Sequence, residues 1–167
     1  FAPMVEQLLR GPWPRTGQCH VFAQRMVVVK MQQLDVRAKG VELTKQTLDC
    51  CAAAGVETLV GPYHSALGYF SGAGPTDDEW KWGVDSMRQV AEHAGQVGVK
   101  LGVEALNRFE CYFLNTHGDS ARFVREVDHP SCGMMYDTFH SNIEEKSVTD
   151  AVNAGGDKLF HIHISEN

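Results

Sequence analysis

Glu104, Asp137 and His163 are the residues on which chemistry most readily converges. Each falls in a short apolar run, over residues 99–106, 133–137 and 158–165. Glu104 and Asp137 are 33 residues apart, and Asp137 and His163 are 26 apart, each about one strand–helix unit. In α/β architectures ligands bind at the carboxyl ends of the strands. The spacing therefore brings three side chains to successive strand ends. Two carboxylates and an imidazole converging there make a mixed oxygen and nitrogen donor set. Such a set is compatible with Mn²⁺, Co²⁺, Mg²⁺ or Zn²⁺, and donor type alone does not choose among them.

Strand alternation supports a common mouth. His161, His163 and Ser165 share one face, while Phe160, Ile162 and Ile164 take the face expected to meet helices. Leu101, Val103 and Ala105 oppose Glu104 in the same way. A carboxylate buried alone is costly, so Glu104 is expected to have a cation or a hydrogen-bond donor beside it. Each residue also has a plainer role open to it. Asp137 could cap a following helix, Glu104 could pair with Arg108, and a strand histidine could be a hydrogen-bonded core residue. Glu144-Glu145-Lys146 reads as a solvated helix start. His20, His93 and His129 show no partner and are expected at the surface. Cys50 and Cys51 read as small core residues. Trp80 and Trp82 read as packing, although the Gly-rich segment before them could serve as a lid.

The elements that must position these groups follow from periodicity and punctuation. Val36, Val41, Leu48 and the apolar run over 51–54 predict a helix from Asp35, stopped at Gly55. A β-branched strand over 56–60 stops at Gly61-Pro62, and residues 63–75 read as a loop. Thr76 and Glu79 fit a capping box. Behind it Trp80, Val84, Met87, Ala91 and Ala94 make one apolar stripe that Gly98 can end. A helix from about Thr116 stops at His129-Pro130. Residues 143–152 read as weakly helical, broken by Gly155-Gly156. In the first 34 residues only a turn at Gly11-Pro12-Trp13-Pro14 and a short strand at Val27-Val28-Val29 are legible. Strand and helix alternate about every 30 residues, which predicts parallel strands joined by right-handed crossovers. No linker divides the chain, so residues 1–167 are expected to form one domain.

Composition narrows the function. With 15 Lys+Arg against 21 Asp+Glu, the formal charge of −6 argues against a nucleic-acid surface. No stretch approaches the roughly 20 apolar residues of a membrane span, and no signal peptide is legible. Five cysteines with no CxxC pair speak against a disulfide framework or a zinc cage, so a reducing, cytoplasmic setting is expected. The first residue is not Met, so a processed or partial product is expected.

Four blocks carry a family resemblance. They are Gly102-Val103-Glu104-Ala105-Leu106-Asn107-Arg108-Phe109-Glu110, Leu114-Asn115-Thr116, Asp137-Thr138-Phe139-His140-Ser141-Asn142-Ile143-Glu144-Glu145, and His161-Ile162-His163. Together they resemble the ketose 3-epimerases (the D-tagatose and D-psicose 3-epimerases). That family lies among the sugar-isomerase-like and endonuclease-IV-like TIM barrels. The resemblance covers about residues 35–167 and leaves 1–34 unmatched. It implies an α/β fold, part of a (β/α)8 TIM barrel with about four to five βα units, incomplete at both ends. A whole barrel needs about 250 residues.

The resemblance also implies roles. Glu104, Asp137 and His163 resemble three of four metal ligands, for Mn²⁺ or Co²⁺ first and Mg²⁺ next. Glu104 resembles one of two carboxylates that exchange the proton at C3 of a free ketose through an enediolate. Glu110 and His140 resemble residues that hydrogen-bond the sugar near its carbonyl end. His161 gains no role beyond packing or supporting a ligand. The family's fourth ligand, which is also its second carboxylate, and a substrate-binding Arg lie further on. No residue here matches either, and Glu166 is too close to His163. Weak or absent epimerase activity is therefore expected of this chain alone.

Other readings compete. Within the superfamily stand hydroxypyruvate-isomerase-like and inosose-dehydratase-like enzymes, and the NRFE and DTFHxNIEE blocks favour the epimerase over both. An endonuclease-IV-like repair enzyme would need a basic groove. A non-catalytic remnant would self-associate through open sheet edges, and a homo-oligomer is expected in either case.

Overall fold

The computed structural model describes residues 18–19 and 34–165. The Gly11–Pro14 turn, the Val27–Val29 strand, His20 and Glu166 lie outside them. Five parallel strands form one sheet in chain order: β1 (Gln18–Cys19), β2 (Thr58–Gly61), β3 (Lys100–Glu104), β4 (Cys132–Asp137) and β5 (Leu159–His163). Helices α1 (Leu34–Ala53), α2 (Asp77–Val97), α3 (His117–Val127), α4 (Thr138–Glu144) and α5 (Val148–Gly155) stand between or after them. A short 3₁₀ turn, Gly156–Lys158, leads into β5. Sequential strands pair with their neighbours and every pairing is parallel, so the described residues make a partial TIM barrel.

The capping box forms as the sequence dictates. The Glu79 N–H donates to Thr76 Oγ1 at 3.2 Å, and the Thr76 N–H donates to Glu79 Oε2 at 2.8 Å. Gly98 ends α2 at φ 75°, a left-handed turn a side chain would strain, and its N–H reaches the Ala94 carbonyl. The outward faces of the strands supply Leu59, Leu101, Val103, Cys132 and Met134. They meet Leu48, Met87, Val90, Ala91, Phe123, Val124 and Val127 in one buried core. Each large apolar side chain fully buried there contributes about 1.5–3 kcal/mol. Val84, Met87 and Ala91 of the α2 stripe all point into it. Trp80 packs edge-on against Phe123 at 5.6 Å, the packing role expected of it.

Two expectations need correction. The weak helix over 143–152 is two helices. Asp137 accepts the Phe139 N–H and starts α4 directly after β4, and Ser147 caps α5 by accepting the Asp150 N–H at 3.2 Å. The apolar face of β5 is also not covered as predicted. Ile162 is 48% exposed and Ile164 87% exposed, so this face at the sheet's edge is largely open among the described residues. No helix of the described residues is long and apolar enough to cross a membrane.

Candidate metal centre

Parallel register carries the three predicted donors to one place. Glu104 ends β3, Asp137 ends β4 and pairs in register with His163, and His163 ends β5. One ligand atom from each lies within 4.8 Å of the other two. That span is close to the separation of ligands across a cation held at about 2.0–2.2 Å. The chemistry of the set, two carboxylates and one imidazole, fits a divalent metal. Among the described residues no other group of His, Cys, Asp or Glu converges in this way.

Asp137 does two things at once. Its Oδ1 accepts the Phe139 N–H at 2.7 Å, the capping role, while Oδ2 lies 3.2 Å from His163 Nδ1. The predicted cap and the predicted ligand are one side chain with its two oxygens divided between tasks. His161, also on β5, packs its ring edge-on to His163 at 5.0 Å.

His140 and Glu110 reach the same mouth through Asn107. The Asn107 main-chain N–H donates to His140 Nδ1 at 3.0 Å, and the Asn107 side-chain amide lies 3.1 Å from that nitrogen. The same amide donates to Glu110 Oε1 at 2.8 Å. With Nδ1 accepting, the His140 proton sits on Nε2, which faces Glu104 Oε1 at 3.6 Å. Burial pulls His140 downward, but the Glu104 carboxylate beside it, then Asp137 and Glu110, outweigh burial and raise its pKa above 6.5. The Asn107 N–H requires a lone pair on Nδ1, so in this arrangement His140 is the neutral ring with its Nε2–H toward Glu104.

Glu104 is also held from behind. His64, on the loop after β2, is 1% exposed and donates from Nε2 to the Glu104 carbonyl at 2.8 Å. Burial lowers its pKa to about 4, against a smaller rise from that hydrogen bond, so the ring is neutral at pH 7.

The acidic pair after His140 overturns the reading of a solvated helix start. Glu144 and Glu145 stand at the end of α4, and both face inward. The Glu144 carboxylate, its side chain 5% exposed, accepts from the Arg108 main chain at 2.7 Å and from Arg108 Nε and Nη2 at 2.9 and 2.8 Å. Burial would raise Glu144; Arg108 outweighs it and holds the carboxyl below its usual range. Arg108 therefore pairs with Glu144 rather than with Glu104. Glu145 accepts the His117 N–H at 2.7 Å and lies 3.1 Å from His117 Nδ1. His93 also has a partner, Asp49, at 2.6 Å, and His129 Nδ1 accepts the Ser131 N–H.

Sequence reasoning passed over Asn107, His64 and His117. The four-residue step from His140 to Glu144, one face of a helix, was the available signal for Glu144. Nothing in the pattern marked His117 or His64, each of which meets a main-chain atom of a distant strand, His117 also meeting the Glu145 carboxylate.

The chain's likenesses agree with this geometry. The family described as xylose isomerase-like TIM barrel matches residues 32–167. The D-psicose 3-epimerase of Agrobacterium fabrum is 36% identical over 134 residues, covering 79% of this chain and 46% of that protein. The L-ribulose 3-epimerase of Methylomonas is 34% identical over 130 residues, covering 78% of this chain and 45% of that protein. Among solved structures, D-psicose 3-epimerase with D-tagatose from Clostridium cellulolyticum superposes with a TM-score of 0.75 at 33% identity. That superposition covers 80% of this chain and 47% of that one. The chain spans about half the length of these relatives.

Proposed function

Since the chain belongs to the xylose isomerase-like TIM-barrel family, we propose that it carries part of the site of a metal-dependent ketose 3-epimerase. The convergence of Glu104, Asp137 and His163 within 4.8 Å is the observation that supports this reading most strongly. A divalent cation, Mn²⁺ or Co²⁺ first, would polarise the sugar's carbonyl and make the adjacent C3 proton more acidic. Glu104, Asp137 and His163 would hold it.

The protein's own groups account for the rest. Glu104 is the carboxylate that takes or returns the C3 proton. The His140 Nε2–H donates toward sugar oxygen and steadies charge developing there. Glu110, fixed by Asn107, accepts from a sugar hydroxyl. Inversion at C3 needs a second carboxylate on the opposite face, and the described residues offer none by motif. These 167 residues alone are expected to give weak turnover or none. The fit of donors and blocks to sugar chemistry supports a free ketose as substrate, with no nucleic acid or membrane as partner. The four described cysteines are free, which supports a reducing, cytoplasmic setting.

The test is incubation with D-fructose, D-psicose or D-tagatose and Mn²⁺ or Co²⁺ in D₂O, followed by proton NMR at C3. Slow deuteration that Glu104→Gln abolishes supports the reading. An ordinary enzyme's rate of about 1 s⁻¹ or more contradicts the partial site, and no exchange together with no metal uptake contradicts the epimerase reading. The exposed Ile162 and Ile164 at the sheet edge favour a second reading, a self-associating remnant. A monomer in light scattering argues against it.

A further inference from the structure

His117 is the most completely buried histidine of the described residues, at 0% exposure, yet it lies outside the set that reaches the mouth. It opens α3, directly after the Thr116 cap. Its ring lies 4.5 Å from that of Tyr136, an apolar contact that a phenylalanine could make as well. Both ring nitrogens are nevertheless engaged. Nδ1 faces Glu145 Oε1 at 3.1 Å, and that same oxygen accepts the His117 main-chain N–H at 2.7 Å. A carboxylate only accepts, so Nδ1 carries the proton and Nε2 keeps its lone pair. Nε2 then accepts the Asp137 main-chain N–H at 3.2 Å.

The acidic residue therefore sets the tautomer, and the tautomer sets what the ring can do to Asp137. Without Glu145, a proton on Nε2 would point at the Asp137 N–H. Asp137 is consequently fixed on both sides. His117 holds its main chain, and Phe139 N–H and His163 hold its two carboxylate oxygens.

We propose that His117, with its tautomer set by Glu145, is a positioning residue for Asp137 and thereby governs affinity for the divalent cation. This rests on the metal reading of Glu104, Asp137 and His163. Outer partners that orient a ligand typically cost about 10–100-fold in metal affinity when removed.

The test compares the full chain with His117→Phe, His117→Gln and Glu145→Ala, with His93→Phe as a control away from the centre. Mn²⁺ binding is followed by the electron paramagnetic resonance of free ion, and the Asp137 amide by hydrogen exchange without metal. His117→Phe is expected to weaken Mn²⁺ binding about tenfold or more and to speed Asp137 exchange. His117→Gln, whose amide oxygen can accept the Asp137 N–H, is expected to recover part of both. Glu145→Ala, which leaves the ring in place, is expected to move both the same way if His117→Phe fails to fold. A purely structural role would lower the melting temperature, as His93→Phe is expected to, without weakening Mn²⁺ binding. Parent-like Mn²⁺ affinity and parent-like Asp137 exchange in the foldable variants overturn the proposal. A parent chain that takes up no Mn²⁺ overturns the metal reading, while the Asp137 amide still decides the positioning.

Discussion

Acid should unfold this protein in part through His64. The ring is buried behind Glu104 and donates to its carbonyl, and burial lowers its pKa from 6.5 to about 4. The sign follows from linkage. Between those values the unfolded chain binds a proton at this histidine and the folded chain does not, so stability falls as pH falls. Each pH unit in that window is worth about 1.4 kcal/mol. His64 therefore accounts for about 3 kcal/mol in all, of which about 2 kcal/mol is lost between pH 7 and pH 4.5. His117 is lowered by burial too, against an opposing pull from Glu145, and acts in the same direction. Comparing the parent with His64→Gln isolates the first group, because glutamine keeps a donor for the Glu104 carbonyl but does not titrate. Urea unfolding followed by far-UV circular dichroism at pH 7 and pH 4.5 gives the four free energies. The parent should lose about 2 kcal/mol more than the variant over that interval. An equal loss in both would refute the placement of a neutral, buried imidazole at position 64.

Other consequences are local. Gly133→Ala would set a Cβ 2.5 Å from the Lys158 carbonyl oxygen and 2.6 Å from the Phe160 ring. Main chain cannot yield cheaply there, so β4 and β5 must part, at a cost of about 2–3 kcal/mol. Thermal unfolding should show a fall of about 5–10 °C, whereas Gly74→Ala, with nothing within 4 Å, should leave the melting temperature unchanged. Glu144→Ala removes the acceptor for three Arg108 donors and leaves the loop after β3 untied. A drop of about 3–6 °C is expected, and an unchanged melting temperature would show that the clamp contributes nothing.

Much of this was legible before any coordinates. Strand alternation and a repeat of about 30 residues sufficed for the parallel sheet. The spacing of Glu104, Asp137 and His163 sufficed for their meeting, because each closes a strand and parallel strands end on one side. What stayed hidden depends on contacts between segments far apart in sequence. Glu144 and Glu145 carry the composition of a solvated turn, and only the approach of Arg108 and His117 across the fold turns them inward. His64 and His117 act on main-chain atoms, and a main-chain partner leaves no trace in residue type. The start of helix α4 is hard to read because Asp137 both closes β4 and caps the helix, so strand and helix meet with no residue between them.

The account stands most directly on whether Glu104, Asp137 and His163 hold a cation. Crystals of the chain grown with Mn²⁺ and measured at the manganese absorption edge would locate it. The account predicts one anomalous peak bounded by those three side chains, lost in Asp137→Asn. A parent crystal with no peak there, or with manganese bound only elsewhere, would contradict it.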